Sequence, residues 1–100
     1  MPPLRVDLQD GFDGDEVVVR LDGARIFHGE AVRTRMQVGV AEVIETPVEA
    51  GRHRIEIRLP GRDLAMEREI SVAGATHVGV SLDSTGRLTL AVQERPFRYA

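Results

Sequence analysis

The chain has 100 residues, enough for one hydrophobic core, and with 42% hydrophobic and 29% charged residues its composition is that of a folded domain rather than a disordered segment. It has no cysteine, which excludes a disulfide framework, a thiolate zinc site and a thiol nucleophile. The net charge is −3 and all 13 basic residues are Arg spread along the chain, so the basic patch that nucleic-acid binding needs is missing.

Apolar and polar residues alternate at period two through most of the chain, and helical periodicity is nowhere sustained. Leu4, Val6 and Leu8 alternate with Arg5 and Asp7 and predict a first strand, and Val17, Val19 and Leu21 predict a second. Between them Asp10-Gly11-Phe12-Asp13-Gly14-Asp15 reads as a loop, too polar and Gly-rich to extend either strand. Asp22-Gly23 supplies the positive-φ pair of a tight hairpin turn, and a short strand, Arg25 to His28, follows and closes at Gly29. From Ala31 to Val40 a further strand is expected, with Val32, Thr34, Met36, Val38 and Val40 on one face, Arg33, Arg35 and Gln37 on the other, and a bulge or break near Gly39. Glu42 to Val48 predicts another strand, at a sheet edge or stopped at residue 46, because Pro47 has no N–H for a ladder.

In the second half Ile55, Ile57 and Leu59 face one way, and Arg54, Glu56 and Arg58 face the other. Pro60-Gly61-Arg62-Asp63 turns the chain into a strand from Leu64 to Val72, and Ala73-Gly74-Ala75 turns it into one from His77 to Leu82. Asp83-Ser84-Thr85-Gly86 makes a last hairpin before Leu88, Leu90 and Val92. The tail from Arg95 to Ala100 has lost the alternation and is expected to pack loosely or to lead into a further domain.

Turn signals about every eight to twelve residues between alternating strands are the pattern of a sandwich or small barrel. The fold class expected is therefore all-β: one domain over residues 1–100, an antiparallel sandwich, Ig-like or transthyretin-like, of about seven or eight strands. With no helical crossover in the pattern, parallel pairing is not expected. The expected core is Val17, Val19, Leu21, Ile55, Ile57, Leu59, Val78, Val80, Leu82, Leu88, Leu90 and Val92.

The stretch Val17-Val18-Val19-Arg20-Leu21-Asp22-Gly23, followed by Pro47-Val48-Glu49-Ala50-Gly51-Arg52-His53-Arg54-Ile55, resembles PEGA-type and carboxypeptidase-regulatory-like bacterial sandwiches. In those families a strand ends in Asp-Gly, and a later Gly-x-His-x-apolar turn opens a core strand. The likeness spans about residues 15 to 82 and departs from the pattern between Ala24 and Glu30. It implies a non-catalytic accessory or adhesion-like module.

Asp10, Asp13, Asp15 and Glu16 gather carboxylate oxygens of the kind a hard cation takes, although their spacing is not that of an EF-hand. His28 and Glu30, on a loop at the same end of the domain, are expected to approach this cluster. His28, His53 and His77 lack metal-ligand spacing, and His53 shares the parity of Ile55 and Ile57, as a partly buried histidine bonded to a nearby carbonyl would. Phe12 either projects from its loop towards a ligand or folds down over the core, and with no Trp in the chain a sugar platform is poorly supplied. Ser71, Ser81 and Ser84 have no nucleophile elbow, and Glu67 and Glu69 share a strand face as surface charge does.

The expectation is therefore a non-enzymatic binding or assembly module without a cofactor. It engages a protein partner or forms a homo-oligomer through sheet edges or end loops, Arg33, Arg35 and Gln37 being the candidate partner-binding residues. A calcium- or glycan-binding sandwich is the alternative. No apolar run approaches the roughly 18 residues of a membrane span, and no signal peptide is visible, so as written the chain is expected to be cytoplasmic, with neither membrane nor nucleic acid as partner.

Overall fold

The computed structural model describes residues 1–99. Eight strands run in the order β1 (Pro3–Leu8), β2 (Asp13–Leu21), β3 (Ala24–Arg33), β4 (Glu42–Pro47), β5 (Gly51–Leu59), β6 (Leu64–Val72), β7 (Thr76–Leu82) and β8 (Leu88–Gln93). They form two four-stranded sheets, β4-β1-β7-β8 and β3-β2-β5-β6. The chain is an all-β sandwich.

Alternation decides which side chains enter the space between the sheets. Leu4, Val6 and Leu8 of β1 meet Val78 and Val80 of β7 from the first sheet, and Val17, Val19, Ile55, Ile57 and Leu59 close the core from the second. Phe12 seals one end, only 3% exposed. The β2–β3 hairpin turns at Asp22 and Gly23, with φ of 51° and 84°, the two positive values that a two-residue turn of the right twist demands. Pro60–Arg62 forms a 3-10 turn, after which Asp63 at φ 53° leads into β6.

Several expectations are corrected. β1 and β7 pair in parallel, Val6 opposite Val78. A helix is not needed for this pairing, because between the two strands the chain crosses to the second sheet for β2 and β3, comes back to pair β4 with β1, and crosses again for β5 and β6. Asp10 to Phe12 form the expected loop, but β2 begins at Asp13, so Asp13 to Asp15 are strand, accommodated by register shifts against β3 between Asp13 and Asp15 and between Asp15 and Val17. Gly29 does not end a strand: β3 runs straight through it, and a Cβ there would collide with the side chains of Phe27 and Val32. The glycine makes room for two neighbours to close over the strand rather than turning it.

Residues 34–41 are not a strand, so Val32, Thr34, Met36, Val38 and Val40 do not share an apolar face. Thr34 is drawn inwards, donating to the Gln9 carbonyl at 2.6 Å and accepting from the Phe12 N–H at 3.1 Å. The N–H groups of Val38 and Gly39 both return to the Arg35 carbonyl, so the chain reverses at once and Arg35 pairs with Val40 in one isolated bridge. Val92 also leaves the expected core: on the edge strand β8 it is 40% exposed, and Leu90 is only partly buried. The tail does not hang loosely but lies across the outer face of the first sheet, with Phe97 over Gly79 and the Tyr99 hydroxyl on Asp7. Ala100 lies outside the described residues.

Candidate functional site

The acidic run is met by side chains from three directions. Asp13 pairs with Arg33 of β3, and Glu16 meets His28 Nε2 at 2.9 Å. Arg62, from the 3-10 turn, forks onto both oxygens of Asp15 at 2.7 and 3.1 Å, and this hydrogen bond holds the Asp15 carboxyl below the usual carboxylate range. Asp10 stands apart at the β1–β2 corner, exposed. His28 thus approaches the acidic residues, through β2–β3 pairing. Among the described residues no group of three or more His, Asp or Glu could hold a metal ion.

His53 does bond a nearby carbonyl, and a carboxylate besides. Its Nδ1 lies 2.6 Å from Asp22 Oδ2 and its Nε2 lies 2.6 Å from the Glu49 carbonyl. Both partners only accept, so the doubly protonated ring, with both nitrogens donating, is the form that satisfies both contacts. The Asp22 hydrogen bond, aided by Glu49, raises the His53 pKa above its ordinary value, and the same contact lowers that of Asp22. Asp22 Oδ1 also accepts from the Arg54 N–H at 2.8 Å, so this group staples the β2–β3 turn to β5. Phe12 is core and cannot serve as a ligand platform.

Arg33, Arg35 and Gln37 do come together, around one groove, but from a strand end and a loop rather than from an edge strand. The loop base is fixed by Thr34 and by the Ala41 N–H donating to the Leu8 carbonyl at 2.6 Å. On that base Met36 is 90% exposed and Val38 is 42% exposed, with Gln37 between them. Met36 and Gln37 form a ridge between two grooves. One, of about 480 Å³, has Arg33, Arg35 and Glu42 in its wall, and the other, of about 380 Å³, has Asp10, Gly39, Phe97 and Tyr99. The arrangement offers an apolar tip with basic and polar flanks.

The network under the tail was not legible in advance. Ser81 donates to Gln9, Gln9 donates to the Tyr99 oxygen, Tyr99 donates to Asp7, and Arg5 donates to the second Asp7 oxygen at 3.0 Å. Asp7 is 1% exposed although it lies on the outer face of its sheet. One signal was present in the sequence: Gly79 shares the parity of His77 and Ser81, leaving a gap in an outward row where an aromatic ring can settle. No helix among the described residues is long and apolar enough to cross a membrane. No family model matches the chain, and no curated protein matches it.

Proposed function

We propose that this domain is a non-enzymatic binding or assembly module that engages a protein partner, or a second copy of itself, through the loop between β3 and β4. Its kinship, in the same proposal, is with PEGA-type and carboxypeptidase-regulatory-like sandwiches, Ig-like or transthyretin-like in type. The exposed Met36 on a loop whose base is fixed by buried hydrogen bonds carries the reading. A large apolar side chain held out in water on a rigid support gains by being covered, and methionine adapts its shape to varied surfaces. Arg33, Arg35 and Gln37 supply the polar rim that orients what covers it.

Sedimentation from micromolar to near-millimolar concentration, together with a photo-crosslinker placed at position 36, tests the proposal. The expected result is association, or a discrete protein adduct, that Met36→Asp and Val38→Asp weaken while the folded spectrum is kept. A strict monomer that forms no adduct from position 36 would overturn it.

A further inference from the structure

We propose that the outer face of the first sheet is a peptide seat for an extended aromatic–x–tyrosine segment of a partner protein, and that Phe97-Arg98-Tyr99 is the occupant this chain supplies to itself. The seat is built by strands remote in sequence from the segment it holds. Gly79 on β7 leaves a recess in which the Phe97 ring rests, so close that a Cβ on Gly79 would lie 2.8 Å from the ring and 2.7 Å from the Gln9 amide. Beside the recess the buried Asp7 carboxylate, oriented by Arg5, accepts the Tyr99 hydroxyl, and the Gln9 amide donates to the same oxygen. An aromatic ring and a phenol two residues apart along an extended chain fit these two positions.

Three observations mark the occupant as exchangeable. Residues 94–99, after β8, form no strand ladder, their hold on the sheet being the two aromatic side chains and the Gln93 amide, which donates to the Arg95 carbonyl at 2.7 Å. The segment is also an incomplete complement, since His77, on the same outward row as Gly79 and 9% exposed, has a buried Nδ1 without a hydrogen-bond partner among the described residues. A segment that offers a polar group there satisfies what the chain's own segment leaves unmet. The groove on the far side of Tyr99 continues to the exposed Met36 and Val38, which gives a longer incoming chain somewhere to run. The seat adjoins the Met36 groove, but its test uses a segment of residues 93–99 alone and does not depend on the proposed role of Met36.

The probe is a fluorescein-labelled peptide with the sequence of residues 93–99, read by anisotropy against the full chain. The wild type, whose seat is filled in cis, is expected to bind weakly, and a Phe97→Ala/Tyr99→Ala variant at least about tenfold more tightly, because the tethered competitor is gone. Adding Gly79→Val to that variant should abolish binding, whereas adding Glu67→Gln, on β6 of the other sheet, should leave it unchanged. In nitrogen-15 spectra of the wild type, millimolar unlabelled peptide should move the amide resonances of Asp7, His77 and Gly79 and leave that of Glu67 in place. This second measurement decides the matter if the double variant does not fold. The proposal is overturned if the folded double variant binds no better than the wild type, if a peptide with Ala at both aromatic positions binds equally, or if the wild-type resonances do not move. A concentration-dependent dimer abolished by the double variant would also overturn it, by making a second copy the occupant.

Discussion

Ile57 lies at the middle of β5, opposite Val19 on β2 and Met66 on β6, with no accessible surface. Ile57→Ala removes three carbons, worth about 2.4 kcal/mol at about 0.8 kcal/mol per buried methylene. The site cannot collapse freely, because hydrogen-bonded ladders flank the strand on both sides and the opposite sheet fixes the depth of the core. A residual void of about 40 Å³ at about 24 cal/mol per Å³ adds about 1 kcal/mol. The expected cost is therefore about 3–4 kcal/mol, a large part of the stability of a domain this size. Val92, apolar and on the same alternation pattern, is 40% exposed on an edge strand, so Val92→Ala should cost less than about 1 kcal/mol. Equilibrium urea unfolding followed by circular dichroism, with unchanged slopes, measures both. A cost below about 1 kcal/mol at Ile57, or an equal cost at the two positions, would refute the packing described.

The His53–Asp22 staple makes stability depend on pH in two directions. Because the folded His53 pKa is raised, its contribution is complete below about pH 6.5 and is lost as pH rises through the folded value; because that of Asp22 is lowered, its contribution is complete above about pH 3.8 and is lost as pH falls through the folded value. Melting temperatures should thus show a shoulder between those limits that His53→Gln removes, worth on the order of 1 kcal/mol or less because Asp22 is half exposed. Tyr99 is the only tyrosine in a chain without tryptophan, so an alkaline absorbance titration reads this one group. Burial first, and the bond to Asp7 second, push it up to about 12. Its contribution to stability is present below pH 10 and lost as pH rises through about 12, and a titration midpoint at the ordinary value would show that the tail is undocked. Thermal unfolding in millimolar calcium and in chelator should give the same midpoint, since Asp13, Asp15 and Glu16 already face Arg33, Arg62 and His28; a saturable rise that Asp15→Ala removes would show a cation site.

Most of the fold was legible because period-two alternation is local. β5 and β7 stand where the rows around Ile57 and Val80 place them, β6 stands between the turns at Pro60 and Ala73, and the Asp22-Gly23 turn follows from the conformational needs of a two-residue hairpin. What failed depends on contacts distant in sequence. The β1–β7 pairing joins segments about seventy residues apart, and no local pattern encodes which strand becomes a neighbour. Alternation from Ala31 to Val40 is real, but Thr34 bonding to the first loop and the reversal at Arg35 outweigh it. Gly29 reads as a strand end and Gly79 as an ordinary position inside a strand, and each makes room for a ring, that of Phe27 in one case and that of Phe97 in the other.

The candidate site was legible as a set of residues but not as a surface. Arg33, Arg35 and Gln37 were expected along an open edge, yet the edges of this sandwich are obstructed by different means. β4 ends in Pro47 and carries Glu42 and Glu45, and β3 is distorted by its register shifts against β2. On the opposite side β6 is regular over its whole length against β5, the geometry most open to an added strand. Arg68 has the inward parity of Ile70 and Val72, and its guanidinium crosses to the other sheet to donate to the Leu90 carbonyl of β8 at 3.2 Å. A charge placed between two edges occupies an acceptor on one and makes an incoming strand at the other pack against a cation. With the edges obstructed in these ways, the most exposed large apolar side chain is Met36, held on the fixed β3–β4 loop rather than along a ladder.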